Sequence, residues 1–120
     1  MKLKQVLALV DGIATHPDVD LEAEVRAGIA ADLMSDVLRF GHEHMLLVTG
    51  LTNPQVIRTA EMVGLRALLF VRAKLPPPET VALAREARVA LLATRFSMYE
   101  ACGLLFGGGL GGIGPCGDFG

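Results

Sequence analysis

The glycine-rich end of the chain contains Gly109-Leu110-Gly111-Gly112-Ile113-Gly114, a literal GxGxxG. That pattern cradles a pyrophosphate only where a strand precedes it and a helix follows, so that free N–H groups and the helix dipole face the phosphate. Here only PCGDFG follows, and the stretch reads as a linker or terminus. No GxxxxGK[ST] occurs, so the backbone cradle and lysine that phosphoryl transfer needs are missing. His42-Glu43-His44 sets two imidazoles at i and i+2 rather than at the i, i+4 spacing of a helical zinc site, and reads as a solvated loop. Ser35, Ser97 and the histidines fall in separate segments without a local triad signature. Cys102 and Cys116 have no CxxC spacing and read as structural or incidental thiols. No catalytic constellation, metal site or cofactor is expected, a nucleotide or anion ligand aside.

Three turns remain that carry hydroxyls or amides where an apolar run gives way to a helical pattern. In TGLTNPQ, Thr49 closes the run, Gly50 allows a tight turn, Asn53 can cap the helix, and Pro54 fits the first helical position, where no N–H is needed. ADLMSD offers Asp32 or Ser35 as a cap, and Ser97 with Glu100 three residues on suggests a capping box. Arg95 adds a cation able to meet a carboxylate or phosphate. These features are complete as helix caps without any ligand. The sharper expectation is that Ser35, Asp36, Thr49, Gly50, Thr52, Asn53, Thr94, Arg95 and Ser97 line a small polar pocket for an anionic or nucleotide ligand.

The elements that must hold these turns follow from hydrophobic patterning. Leu3, Val6, Leu7 and Val10 form the stripe of a short amphipathic helix, ended by Asp11-Gly12. Short strands are expected over 12–16 and 25–30, then a helix with Leu33, Met34, Val37 and Leu38 inward. From residue 45 one unit repeats three times, with apolar runs starting near 45, 67 and 89: MLLV, ALLFV and VALLA, each followed by a turn and a helix. The inward faces of those helices are Val56, Ile57, Ala60 and Val63; Val81, Leu83, Ala84 and Ala87; and Met98, Ala101, Cys102 and Leu105. Runs apolar at every position are strands buried on both faces, and intervening helices supply the crossovers of parallel strands. The expectation is a three-layer α/β/α domain with a mostly parallel sheet over 1–107, followed by a flexible Gly-rich tail over 108–120. In such a sheet ligands bind in the crevice beyond the carboxyl ends of the strands.

Composition narrows the partners. Eleven basic and 13 acidic residues are interspersed for a net charge of −2, which leaves no electrostatic footprint for nucleic acid or an anionic membrane. The longest apolar runs fall far short of the ~20 residues of a membrane span, and the Met-Lys start lacks a signal-peptide core, so a cytoplasmic location is expected. A 52% hydrophobic composition and mean hydropathy of +0.47 exceed what a monomer needs, which suggests self-association, most simply a dimer.

AADLMSDVL, LLVTGLTNPQVIRTAEMVGLRALLFVRAK and LLATRFSMYEACGLL together resemble the stand-alone DRTGG-domain proteins, which are similar to the N-terminal domain of HPr kinase/phosphorylase. The resemblance covers residues 1–107, with TGLTNPQ and SMYEACG as its most specific parts. It implies the three-layer fold of that domain and a regulatory or dimerising role, in a module that elsewhere sits beside CBS or phosphotransacetylase domains. The chain departs from the eponymous motif, with T-G-L-T-N at 49–53. It also lacks the separate domain that carries the kinase P-loop, so a kinase label does not transfer.

The function expected is a non-enzymatic regulatory or interaction module that self-associates, with a small ligand at the strand ends and a regulatory protein as a further partner. The alternative is a nucleotide or anion sensor whose ligand changes association, and a third reading is an accessory to a phosphotransfer system.

Overall fold

The computed structural model describes residues 1–119. The chain runs α1 (Leu3–Val10), β1 (Ile13–Ala14), β2 (Ala27–Ala30), α2 (Met34–Phe40), β3 (Met45–Thr49), α3 (Pro54–Val63), β4 (Ala67–Phe70), α4 (Pro78–Ala87), β5 (Ala90–Ala93) and α5 (Met98–Gly107). The strands form one sheet in the order β1-β5-β4-β3-β2. All neighbours are parallel except β1, which pairs antiparallel with β5 at the edge. The mostly parallel sheet expected from the all-apolar runs is present.

Each step from β2 to β5 moves one strand in the same direction. Crossovers of one hand then place α2, α3 and α4 on the same face. The core divides accordingly. Val37, Val56, Ile57, Ala60 and Ala84 from those helices pack with Leu47, Leu68, Phe70 and Leu91. On the other face Leu3, Val6 and Val10 of α1 and Ala101 and Leu105 of α5 pack with Leu46, Val48, Leu69 and Leu92. Alternate residues of one strand thus serve opposite layers, which explains why MLLVT is buried at every position. Burying one such Leu or Phe contributes roughly 1.5–3 kcal/mol.

Helix ends follow local chemistry. Pro54 and Pro78 begin α3 and α4, and Gly64, at φ 79°, ends α3 with its N–H turned back to Ala60 and Glu61 carbonyls. The helix α2 departs from expectation: Leu33 is its N-cap, with no side-chain cap bond from Asp32 or Ser35. Leu33 and Leu38, expected inward, are 62% and 45% exposed, while Val37 alone of that stripe is buried and Met34 packs at the core's margin.

The segment after α5 joins the core at its start. Leu110 is buried among the α1 and α5 residues, and the Gly28 N–H of edge strand β2 donates to the Gly111 carbonyl at 2.8 Å. The apolar packing therefore extends beyond residue 107, and the stretch carrying GxGxxG lies in no strand-turn-helix unit. Among the described residues no helix is long and apolar enough to cross a membrane.

Candidate functional site

At the carboxyl ends of the strands, Asp32 is the hub. Its Oδ1 accepts from the Thr49 hydroxyl at 2.9 Å and from the Gly50 N–H at 2.8 Å. This is where the expected cap of α2 went: the carboxylate ties the exit of β2 to the exit of β3 instead of capping its own helix. The Gly50 N–H, first of all, then the Thr49 hydroxyl and the charges of Arg72 and Lys74, hold the Asp32 carboxyl below its usual range, against burial that pushes it up.

Gly50, Arg72 and Arg95 all lie in the turns just past the apolar runs. Their uses differ. Arg72 and Ala73 both adopt the left-handed conformation, at φ 61° and 58°, which costs an L-residue roughly 1–2 kcal/mol apiece. Two backbone bonds hold the turn in place: Arg72 N–H to Phe96 O at 2.8 Å and Ala73 N–H to Thr94 O at 3.0 Å. The turn lays the Arg72 guanidinium over Gly50, in space that a Cβ there would enter. The Lys74 ammonium donates to the Gly50 carbonyl at 3.1 Å. Two cations thus converge on one glycine whose N–H is held by a carboxylate, and neither cation is in an ion pair among the described residues. Neighbouring Thr80, buried at the start of α4, donates to the Thr52 carbonyl at 2.8 Å and fixes the turn between β3 and α3.

The expected site residues fall into three groups rather than one pocket. Thr49 and Gly50 belong to the Asp32 cluster, with Thr52 beside it through its carbonyl. Asn53 is the N-cap of α3 in backbone position, but its side chain makes no cap bond. Ser35 and Asp36 lie exposed on the first turn of α2. Thr94, Arg95 and Ser97 serve the other side of the domain. The Thr94 hydroxyl donates to Val10 O at 2.7 Å, Arg95 pairs with exposed Asp11 at 3.1 Å, and Ser97 caps α5 by accepting the Glu100 N–H at 3.2 Å. The Ser97 hydroxyl also donates to the Glu100 carboxylate at 3.2 Å, so of the expected capping box the Ser97 half is formed.

The crevice expected beyond the strand ends is partly bridged by the chain itself. The helix α5 turns to the opposite face from α4, which makes the β4 and β5 exits diverge, as at a topological switch point. The Arg72 and Ala73 bonds to Phe96 and Thr94 span that gap. What stays open is a hollow of about 240 Å³ lined by Asp11, Ile13, Ala73, Leu75, Thr94 and Arg95.

Asp32 entered the sequence reading only as a helix cap, and Arg72 and Lys74 did not enter it at all. The signal for the cations was VRAK, standing in the repeat where TGLT stands one unit earlier. His42 and His44 lie exposed between α2 and β3, and among the described residues no group of three or more His, Cys, Asp or Glu is arranged to hold a metal. Burial pushes the Cys102 thiol up, away from the reactive thiolate.

No protein-family model matches the chain, and no curated protein matches its sequence. Its fold is similar to the crystal structure of the CBS and DRTGG domains of the regulatory region of Clostridium perfringens pyrophosphatase, complexed with its activator, diadenosine tetraphosphate. The TM-score is 0.70 at 13% identity, over 89% of this chain and 46% of that one. The match therefore spans about half of the neighbour, and at that identity the likeness is one of fold.

Proposed function

We propose that this chain is a non-enzymatic regulatory module of the DRTGG type, kin to the N-terminal domain of HPr kinase/phosphorylase, that responds to a small anionic ligand at the carboxyl ends of β3 and β4. The observation that carries the reading is the strained left-handed pair Arg72–Ala73, which sets a guanidinium over Gly50 while Lys74 reaches the Gly50 carbonyl. Backbone strain of this kind persists only where surrounding bonds over-determine it, and it concentrates at ligand clamps and switch regions. The cations are matched to a phosphate or carboxylate, and the neighbour of similar fold is a regulatory region solved with a nucleotide activator. A ligand there would bridge the β3 and β4 exits and would shift any equilibrium through differential affinity for its two states.

A thermal-shift screen against mononucleotides, dinucleotides and inorganic phosphates tests this. Ligand at 100 times its dissociation constant adds about 2.7 kcal/mol of stability. The gain should vanish in Arg72→Ala and Lys74→Ala, whose parent side chains are exposed and whose loss leaves the core intact. A folded protein stabilised by none of these compounds contradicts the reading.

Self-association is the accompanying proposal. Tyr99 and Phe106 are 88% and 71% exposed on α5, with Leu104 beside them, and added Cβ atoms at Gly103 and Gly107 would meet nothing. A second copy of the chain covering this apolar face accounts for side chains that water solvates poorly. Light scattering across a dilution series should show a mass above 12.7 kDa that falls on dilution. A mass fixed at the monomer value removes this part.

A further inference from the structure

The opposite end of the sheet carries a separate cluster. The connection between β1 and β2 folds under the amino ends of β4 and β5, where His16 is only 9% exposed. Its Nδ1 lies 2.7 Å from Asp18 Oδ1, and the other Asp18 oxygen accepts from Arg85 Nε at 3.1 Å. The bond to His16, and after it that to Arg85, keep the Asp18 carboxyl below its usual range. Asp18 is therefore an acceptor, and the His16 Nδ1 must carry the proton.

When the ring carries that one proton, its other nitrogen is a lone pair. The Nε2 atom is buried and has no hydrogen-bond partner among the described residues. An orphaned buried polar atom costs roughly 1–3 kcal/mol, a cost that an apolar residue at this position would avoid. His16 also lines a cleft of about 600 Å³, shared with Asp18, Asp20, Arg66, Arg85 and Arg88. Arg66 lies just before β4, and Arg88 caps α4 in the left-handed conformation. Neither is in an ion pair among the described residues, whereas Arg85 pairs with Asp18; Asp18 and Asp20 are the carboxylates that line the cleft.

We propose that this cleft binds a compact phosphate, free or as a phosphomonoester, with Arg66 and Arg88 on its charged oxygens and the His16 Nε2 accepting its remaining hydroxyl. A phosphate keeps one proton over part of the neutral range, whereas sulfate keeps none. Guanidiniums supply charge and forked donors, and the imidazole supplies the acceptor that selects a protonated oxyanion. The Arg85–Asp18–His16 chain acts as a positioning unit that fixes the tautomer. The site is independent of Arg72 and Lys74, which lie at the other end of the strands.

Calorimetric titration of the full chain with inorganic phosphate and with sulfate, near neutral pH, tests the proposal alongside histidine nitrogen NMR. Phosphate should bind roughly tenfold or more tighter than sulfate, and the His16 Nε2 resonance should move as it saturates. Arg66→Gln with Arg88→Asn should weaken phosphate binding by roughly tenfold or more, since Asn tolerates the left-handed position and the fold is kept. His16→Phe should abolish the preference for phosphate over sulfate. The double variant Arg72→Ala/Lys74→Ala should leave both the His16 response and this preference in place. Equal affinity for the two anions, a His16 resonance that does not move, or unchanged binding in the arginine variant would overturn it.

Discussion

Thr49 ends β3 and Thr94 follows the end of β5, and both begin their turns with the same local bond. The Thr49 oxygen accepts the Leu51 N–H at 3.2 Å, and the Thr94 oxygen accepts the Phe96 N–H at 3.2 Å. Their own protons go to different places. Thr49 donates to the Asp32 carboxylate beside Arg72 and Lys74, whereas Thr94 donates to the Val10 carbonyl and anchors α1. One turn became part of a charged cluster and the other a structural tie. Local sequence sets the turn; the partner brought in by the fold sets its use.

The comparison can be broken most forcefully at Asp32. Replacing it with Ala orphans the buried Thr49 hydroxyl and Gly50 N–H together, and should cost roughly 2–3 kcal/mol in denaturant unfolding. Asp32→Asn keeps one acceptor oxygen and should cost less. It should also tighten anion binding, because a negative charge leaves the neighbourhood of Arg72 and Lys74. The depressed Asp32 carboxyl gives the sign of a pH effect. Its stabilisation is present above the unfolded value and fades as pH falls through the lower folded value. Acid unfolding of Asp32→Asn should accordingly be less steep than that of the parent, and equal slopes would remove the carboxylate from the account.

The next effect separates the two threonines. Thr94→Val leaves the Val10 carbonyl without its partner in a fully packed place and should cost about 2 kcal/mol. Thr49→Val leaves Asp32 its Gly50 bond and some access to water, and should cost about 1 kcal/mol. The reverse order would show that the turn at β3 is the structural one. Smallest of all is Arg95→Ala. Its ion pair with Asp11 is exposed on both sides, and its removal should change stability by less than about 0.5 kcal/mol without altering ligand response. A loss of ligand response in that variant would move the site to the β5 turn.

The sheet was legible because MLLVT, ALLF and the run ending in LLA are apolar throughout, a pattern that only strands covered on both faces sustain. Inner helix faces were legible where spacing was strict, as at Val56, Ile57 and Ala60, and failed on α2, whose short length lets Leu33 and Leu38 face out. Thr49 and Gly50 were found because turn chemistry is local. Asp32 looked like a cap because its partners lie 17 and 18 residues away, a pairing that only the adjacency of β2 and β3 creates. Arg72 and Lys74 looked like ordinary solvated charges, since a left-handed turn without glycine leaves no mark in sequence. The buried place of Leu110 was hidden by the glycines around it.

The account rests on two cations meeting an anion above Gly50. Its most direct test follows the Gly50 N–H and Arg72 Nε–H resonances during titration with pyrophosphate, in the parent chain and in Gly50→Ala, whose added Cβ displaces only the tip of Arg72. The account predicts that both resonances move together along one saturable curve in the parent, and that the curve shifts to much higher concentration in Gly50→Ala. Resonances that stay fixed in a folded parent chain, or that respond identically in the variant, would contradict it.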